Sequence, residues 1–279
     1  MQKKAFRKSI FEKGIRADGR QIDELRELSA EADLMPRSHG SALFARGETQ
    51  ALGLCTLAPA DEAQFIDAYT GGEEEKSFLL HYHFPPFSVG ETGRMGGLNR
   101  REIGHGALAE RSIKPVLPDK DDFPYAIRVT SEVMESNGST SMASVCAGTM
   151  ALLDAGVPLK RPVAGISVGL VTEMDDSGNI KDYKRLLDII GSEDFFGDMD
   201  FKLCGTAQGV TGFQLDLKLT GLPITILNEA IQQAAEARTK VLAVMAEGIE
   251  GPAEISPHAP RIESIKINPE KIGNVIGPG

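Results

Sequence analysis

The sequence predicts an α+β domain made of two similar halves, each a set of strands followed by a helix. In the first half, strand-like runs at Ser41 to Leu57, Phe78 to Phe84 and Tyr125 to Ser131 precede a small, apolar stretch from Met142 to Ala155. Gly156 closes that stretch as a helix, with Pro158 beyond it. In the second half, an apolar run from Pro162 to Thr172 precedes a strict alternation. Phe213, Leu215, Leu217 and Leu219 alternate with Gln214, Asp216, Lys218 and Thr220, the pattern of a half-buried strand. A long helix follows Pro223, with Leu227, Ile231, Ala234, Val241 and Met245 as its apolar stripe and Gly248 as its cap. The repeat is architectural, since no strong sequence repeat joins the halves.

Taken in order, residues 1–13 read as the end of an inter-domain helix, Phe6 to Glu12, and Gly14 to Arg20 as a turn-rich opening. Ser41 to Leu57 is a hairpin around Arg46-Gly47-Glu48. The acidic stretch Gly71 to Glu75 reads as a solvated loop, and Pro85-Pro86 stops the strand before it. Asn99, with Glu102 three residues on, forms a capping box for a helix that ends before Pro115. Asp175 to Asn179 is a turn. Residues 14–250 make the main domain. Residues 251–260 are a Pro-rich linker, and residues 261–279 follow as a separate short piece.

Composition bounds the class. The chain has 279 residues, 41% hydrophobic and 25% charged, enough for one large domain or two small ones. No apolar run approaches the length of a transmembrane helix. The basic start lacks the apolar segment of a secretory signal. Three cysteines, an odd number without metal spacing, fit reduced thiols in a cytoplasmic protein. A net charge of −10 does not advertise a nucleic-acid binder. Contact with a polyanion would need a local basic site such as Arg94, Arg100, Arg101 and Arg111.

Three segments carry chemistry. Gly191 to Lys202 places carboxylates and a lysine in a turn-rich segment that runs into a strand. Asp200 and Lys202, two residues apart, share one strand face, while Met199, Phe201 and Leu203 take the other. With Asp194 upstream, this set can hold a hard divalent cation and move a proton. The same spacing also describes an ordinary surface ion pair. Glu135 to Ser144 puts Ser139, Thr140 and Ser141 behind a glycine at a helix start, where free N–H groups and the helix dipole suit a phosphate. One hydroxyl would serve as a cap; three in a row favour anion binding. Arg100 and Arg101 fall in the first turn of the Asn99-capped helix, where the dipole disfavours cations by about 0.3–1 kcal/mol each. A nearby anion offsets that cost, and guanidinium suits bidentate phosphate contact, although a solvated arginine pair has the same sequence.

Together the segments resemble the RNase PH family, and within it the second catalytic-type domain of its bacterial two-domain phosphorylases. The likeness rests on Leu80 to Glu91 (LHYHFPPFSVGE), Arg100 to Gly106 (RREIGHG), Glu135 to Ser144 (ESNGSTSMAS) and Gly197 to Lys202 (GDMDFK), and spans the chain from about Gly14 onward. His83 stands where the family more often has Asn, and Thr140 interrupts a serine run while keeping a hydroxyl. Residues 261–279 resemble the start of a KH module, cut within its Gly-x-x-Gly loop at Gly277-Pro278-Gly279.

The resemblance implies phosphorolysis of a single-stranded RNA 3′ end, with inorganic phosphate as co-substrate and nucleoside diphosphates released, and the reverse polymerisation. It implies that Ser139, Thr140 and Ser141 cradle phosphate and that Arg100 and Arg101 neutralise phosphate and RNA. Asp194 and Asp200 would hold Mg²⁺, with Mn²⁺ as a substitute. Asp200 would also protonate the leaving oxygen, and Lys202 would complete the cluster. His105 either touches RNA or packs, and Phe84 and Phe87 either stack on bases or serve the core. His81 and His83 have metal-like spacing without a third ligand. The resemblance further implies a homotrimer that includes an upstream domain, proteins of an RNA-degrading complex as partners, a role in mRNA turnover, and a chain that is a fragment. Two rival readings are a non-catalytic ring subunit of the same family and a stand-alone RNase PH that trims tRNA. Retention of the acids, the lysine and the hydroxyl loop weighs against the first. The linker and KH-like start weigh against the second.

Overall fold

The computed structural model describes residues 1–67, 73–97, 99–263 and 266–277. Helix α1 (Gln2–Lys13) is followed by strands β1 (Leu28–Ala32), β2 (Gly40–Arg46), β3 (Thr49–Pro59), β4 (Gln64–Asp67), β5 (Glu73–Lys76) and β6 (Phe78–His83). Then come α2 (Arg100–Ile113), β7 (Tyr125–Glu135), α3 (Thr140–Asp154), β8 (Ala164–Met174), β9 (Ile180–Leu187) and α4 (Gly191–Phe196). The chain continues through β10 (Met199–Gly205), β11 (Val210–Leu217), α5 (Ile224–Gly248) and α6 (Ile272–Ile276). Gly71, Gly72, Leu98, Ser264, Ile265, Pro278 and Gly279, which belong to the acidic-loop, arginine and KH-like segments, lie outside the described residues.

A five-stranded sheet runs β1-β2-β3-β7-β6 and a four-stranded sheet runs β11-β10-β8-β9. Within them, among the described residues, β6 and β7 pair in parallel and the other neighbours antiparallel. The α+β class and the two strand-then-helix halves therefore hold. Helix α3 packs against β2 and β3 of the first sheet and β8 of the second. Its residues from Thr140 to Leu153 are all buried, as expected for a helix apolar on every side. Close approach is built into the strands: a Cβ on Gly53 would fall 2.6 Å from the Ala147 carbonyl oxygen. Helix α2 covers β6, and α5 covers β8 and β1.

Several sequence expectations need correction. The segment before β10 is not merely a turn, because Gly191–Phe196 forms α4. Glu73–Lys76 is strand β5, paired with β4, rather than loop. The alternation in β11 buries its apolar row only in part: Phe213 is 64% exposed and Leu215 39%, while Leu217 and, beyond the strand, Leu219 pack against the core. Phe213 and Leu215 are exposed because β11 is the edge strand of its sheet. Gly248 is the last residue of α5, and Ile249 takes the cap position. Residues 251–260 are docked on the body: Ala253 N donates to Leu153 O at 2.9 Å, and Tyr125 Oη to Pro260 O at 2.9 Å.

Candidate active site

Strand β10 lies between β8 and β11, and every residue in it is buried. Its two-residue period puts Asp200 and Lys202 side by side, with Lys202 Nζ 2.9 Å from Asp200 Oδ2. Both are at least nine-tenths buried. Burial raises the Asp200 pKa; Lys202 opposes the rise, while the negative charges of Asp194 and Asp216 add to it. Asp200 Oδ1 has no hydrogen-bond partner among the described residues. A half-satisfied, desolvated carboxylate of this kind is disposed to hold a proton or a cation.

Helix α4 brings Asp194 to the same cleft, where the Lys218 ammonium lies 3.7 Å from its carboxylate. The helix is fixed at its start by Glu193, which accepts from Ile190 N at 3.0 Å and from both Nε and Nη2 of buried Arg16, at 2.8 and 2.5 Å. On β11, Asp216 pairs with Asp200 and Gln214 with Lys202 in register, so both join the polar face of the site. Gln214 Oε1 accepts from Lys202 Nζ at 3.4 Å.

The loop from β7 into α3 supplies the hydroxyls. Gly138 takes φ 89°, and a Cβ there would sit 2.4 Å from Ile189 O, so only glycine lets the loop press onto the β9–α4 connection. Ser139 is left-handed (φ 48°, ψ 47°) and its side chain does not cap the helix. The hydroxyls of Ser139 and Ser141 are buried without partners among the described residues. Thr140 Oγ1 is 2.7 Å from Tyr82 Oη. An unpaired hydroxyl at a helix N-terminus is a donor awaiting an acceptor, which suits a tetrahedral oxyanion.

Beneath this loop lies a buried charge network that the sequence reading missed. Asp188, left-handed and fully buried, is met by Arg26 Nη2 at 2.7 Å, Arg46 Nε at 2.9 Å and Arg20 Nη1 at 3.4 Å. Burial alone would raise its pKa, but Arg46 and Arg26 outweigh that and hold it at about 2. The same arginines grip the loop: Arg46 Nη2 donates to Ser139 O at 3.1 Å and Arg26 Nη1 to Asn137 O at 2.6 Å. Asn137 Oδ1 then accepts from Gly191 N at 3.1 Å, joining the loop to the start of α4. The network thus ties the hydroxyl loop and the Asp194 helix to one anchor.

Helix α2 forms the third wall. The predicted capping box is present, with Glu102 N to Asn99 Oδ1 and Asn99 N to Glu102 Oε2 both 2.9 Å. Glu102 Oε1 also accepts from Phe84 N at 2.9 Å, joining the end of β6 to the helix start. The Arg101 guanidinium lies 4.6 Å from the Phe84 ring centroid, which steers it along the cleft wall. His105, four residues on, also lines the cleft and is edge-on to Tyr82. Burial, with Lys202 and Arg101 nearby, lowers its pKa to about 4, so the imidazole is neutral at physiological pH.

One cleft of about 240 Å³ therefore gathers Ser139, Thr140, Arg101, His105, Asp194, Asp200 and Lys202. Ser141 is buried below it. Arg100 is exposed and is not among the lining residues. Phe84 and Phe87 lie in a neighbouring groove with Arg94 and Met95, Phe84 supporting Arg101 and Phe87 53% exposed. His83 pairs with Glu132 at 2.7 Å. Among the described residues no three metal-ligating side chains form a ready cage. A cation here would draw part of its shell from water or phosphate oxygens, as Mg²⁺ commonly does.

Residues 24–158 match the RNase PH family, described as 3′ exoribonuclease family, domain 1. The whole chain aligns with polyribonucleotide nucleotidyltransferases of Akkermansia muciniphila (69% identity, 39% of that protein), Methylacidiphilum infernorum (60%, 40%) and Opitutus terrae (59%, 38%), covering 100% of this chain each time. The chain thus spans about two fifths of the length of these relatives. The crystal structure of rice Rrp46 superposes with a TM-score of 0.62 at 20% identity, covering 82% of this chain and 98% of Rrp46, a likeness of fold.

Proposed function

Because the chain belongs to the RNase PH family of 3′ exoribonucleases, alongside the polyribonucleotide nucleotidyltransferases it matches end to end, we propose that its cleft performs phosphorolysis of RNA 3′ ends. The observation that carries this reading is a single cleft holding both unpaired hydroxyls at a helix start and the Asp200–Lys202 pair. Phosphate sits on Ser139, Thr140 and the start of α3, with Ser141 donating from below and Arg101 neutralising charge from α2. An oxygen of this phosphate attacks the last phosphodiester phosphorus, a P–O–P linkage forms, and the bond to the leaving 3′ oxygen breaks. Asp200, whose burial favours the protonated form, supplies the proton that the leaving oxygen needs. Lys202 offsets negative charge at the same point. Arg100 serves the RNA backbone from outside the cleft, His105 meets the sugar-phosphate, and Phe87 offers an aromatic face to bases while Phe84 holds Arg101 in place. Release of a nucleoside diphosphate completes the cycle, and reversal polymerises diphosphates.

The residues fit Mg²⁺ or Mn²⁺, because orphaned Asp200 Oδ1 and the Asp194 carboxylate are hard oxygen donors on one wall. A bound cation supplies positive charge that polarises the scissile phosphate. The proposal extends to a homotrimer that includes an upstream domain, to a KH module continued from residues 261–279, to partners in RNA degradation, and to the cytoplasm, which the free, buried cysteines support. The complete site speaks against a non-catalytic ring subunit. The test is a tungstate or phosphate complex: the oxyanion should lie between Ser139–Ser141 and Arg101. An oxyanion bound only elsewhere, with this loop empty at saturating phosphate, would overturn the reading.

A further inference from the structure

Tyr82 is 2% exposed, yet its hydroxyl stands between two groups that line the cleft. Its Oη is 2.7 Å from Thr140 Oγ1 and 3.3 Å from His105 Nδ1. Tyr82 is neutral, since burial raises its pKa, and His105 is neutral as well. Each member of this row therefore carries one mobile proton, and two hydrogen bonds join the three. With the buried Tyr82 proton spent inside the row rather than left without an acceptor, two directions satisfy both bonds. In one, His105 Nδ1–H donates to Tyr82, Tyr82 donates to Thr140, and the Thr140 proton points to the cleft. In the other, Thr140 donates to Tyr82, Tyr82 donates to His105 Nδ1, and the imidazole proton moves to Nε2.

An anion against Thr140 selects the first direction, because it needs the threonine proton. His105 then carries its proton on Nδ1 and presents a bare Nε2 to the cleft, as an acceptor. A nucleotide ligand offers a matching donor in its ribose 2′-hydroxyl, which a deoxynucleotide lacks. We infer that Tyr82 is a positioning residue that couples phosphate occupancy at Thr140 to acceptance of a ribose hydroxyl at His105. Phosphate and an RNA end thus bind cooperatively, and a 2′-deoxy end gains nothing from phosphate. The inference rests on the phosphorolysis reading and adds a source of preference for RNA. The number of protons is the same in both directions: the two hydroxyls rotate, water takes the proton from one imidazole nitrogen and returns one to the other, and no co-reactant besides water is needed.

The coupling is measurable in the full-length protein inactivated by Asp200→Asn, so that ligands persist. Affinity for an oligoribonucleotide would be measured with and without saturating inorganic phosphate, beside the same strand ending in a 2′-deoxynucleotide. One neutral hydrogen bond gained is worth about three- to tenfold in affinity. Phosphate should tighten the all-ribose strand by that factor relative to the deoxy-ended one. Adding Tyr82→Phe should erase the difference while each ligand still binds alone. Equal coupling in the Phe variant would overturn the inference. Failure of phosphate or RNA to bind the parent at all would instead overturn the phosphorolysis reading. A second readout needs no change at Tyr82. ¹⁵N spectra of histidine-labelled protein, with His105 assigned through His105→Gln, should show Nε2 become pyridine-like on adding phosphate. An unchanged tautomer would overturn the inference whatever the Phe variant does.

Discussion

Asp200 and Asp216 stand directly opposite each other on antiparallel strands β10 and β11, so two carboxylates face the same cleft from adjacent strands. Like charges so placed repel, and Asp216 strengthens the hold of Asp200 on a proton while adding negative charge that favours a cation. Asp216→Asn should therefore lower the Asp200 pKa. It should also weaken Mn²⁺ binding about fivefold, the effect of roughly 1 kcal/mol between partly screened charges. Electron paramagnetic resonance titration of Mn²⁺ reads the affinity directly. Unchanged or tighter Mn²⁺ binding would place Asp216 outside the cation's field.

Asp194 and Asp200 should separate in their response to Mg²⁺. Asp194 lies at the start of α4 beside Lys218, whereas Asp200 is buried beside Lys202 with one oxygen unpaired. Asp194→Asn should lower cation affinity, and high Mg²⁺ should restore part of the rate. Asp200→Asn should stay impaired at every Mg²⁺ level by about 10²–10⁴, because an amide cannot donate the required proton. Initial rates of diphosphate release against Mg²⁺ decide it; equal rescue of both variants would remove the acid role from Asp200.

The arginine pair should prove unequal. Arg101 lies along the cleft over Phe84, and Arg100 is exposed outside it. Arg101→Ala should raise the KM for phosphate far more than Arg100→Ala does. Neither should lower Tm appreciably. Relief of a cation at a helix N-terminus, about 0.3–1 kcal/mol, cancels a lost cation–π contact of similar size. A fall of many degrees for either variant would show that the arginine serves the fold.

The Asp188 network predicts a pH-dependent stability. A carboxyl held at about 2, below the ordinary 3.8, stabilises the fold fully above pH 4, and that contribution is lost as pH falls through 2. The shift corresponds to about 2 kcal/mol. Asp188→Asn should cost about 3–5 kcal/mol at pH 7, since it leaves buried guanidiniums unpaired. Denaturant titrations at pH 7, 4 and 2.5 should show the gap between variant and wild type narrowing with acid. A constant gap would mean that charge is not what Asp188 contributes.

Much of the site was legible because its signals are local. The capping box at Asn99 and Glu102, the hydroxyl run at a helix start and the Asp-x-Lys pair on one strand face each need only a few neighbouring residues. What escaped depends on pairing between distant segments. Asp216 reads as one polar position of an alternating strand, and only the register of β11 against β10 sets it opposite Asp200. Asp188 follows β9 without a motif, and its partners Arg20, Arg26 and Arg46 come from far earlier in the chain. The exposed row of Phe213 and Leu215 misled for the same reason, since alternation tells which residues share a face but not whether that face is covered. Tyr82 looked like one strand residue among several until the fold set it against Thr140.

The most direct test of the central claim follows the phosphate. Full-length protein would be incubated with a single-stranded RNA, Mg²⁺ and ³²P-labelled inorganic phosphate, and the products separated by charge. The account predicts that label appears in the β-phosphate of nucleoside diphosphates, shortening the RNA from its 3′ end, and that Asp200→Asn and Lys202→Ala abolish it. Unlabelled nucleoside monophosphates made at the same rate without phosphate, or diphosphates formed undiminished by both variants, would contradict it.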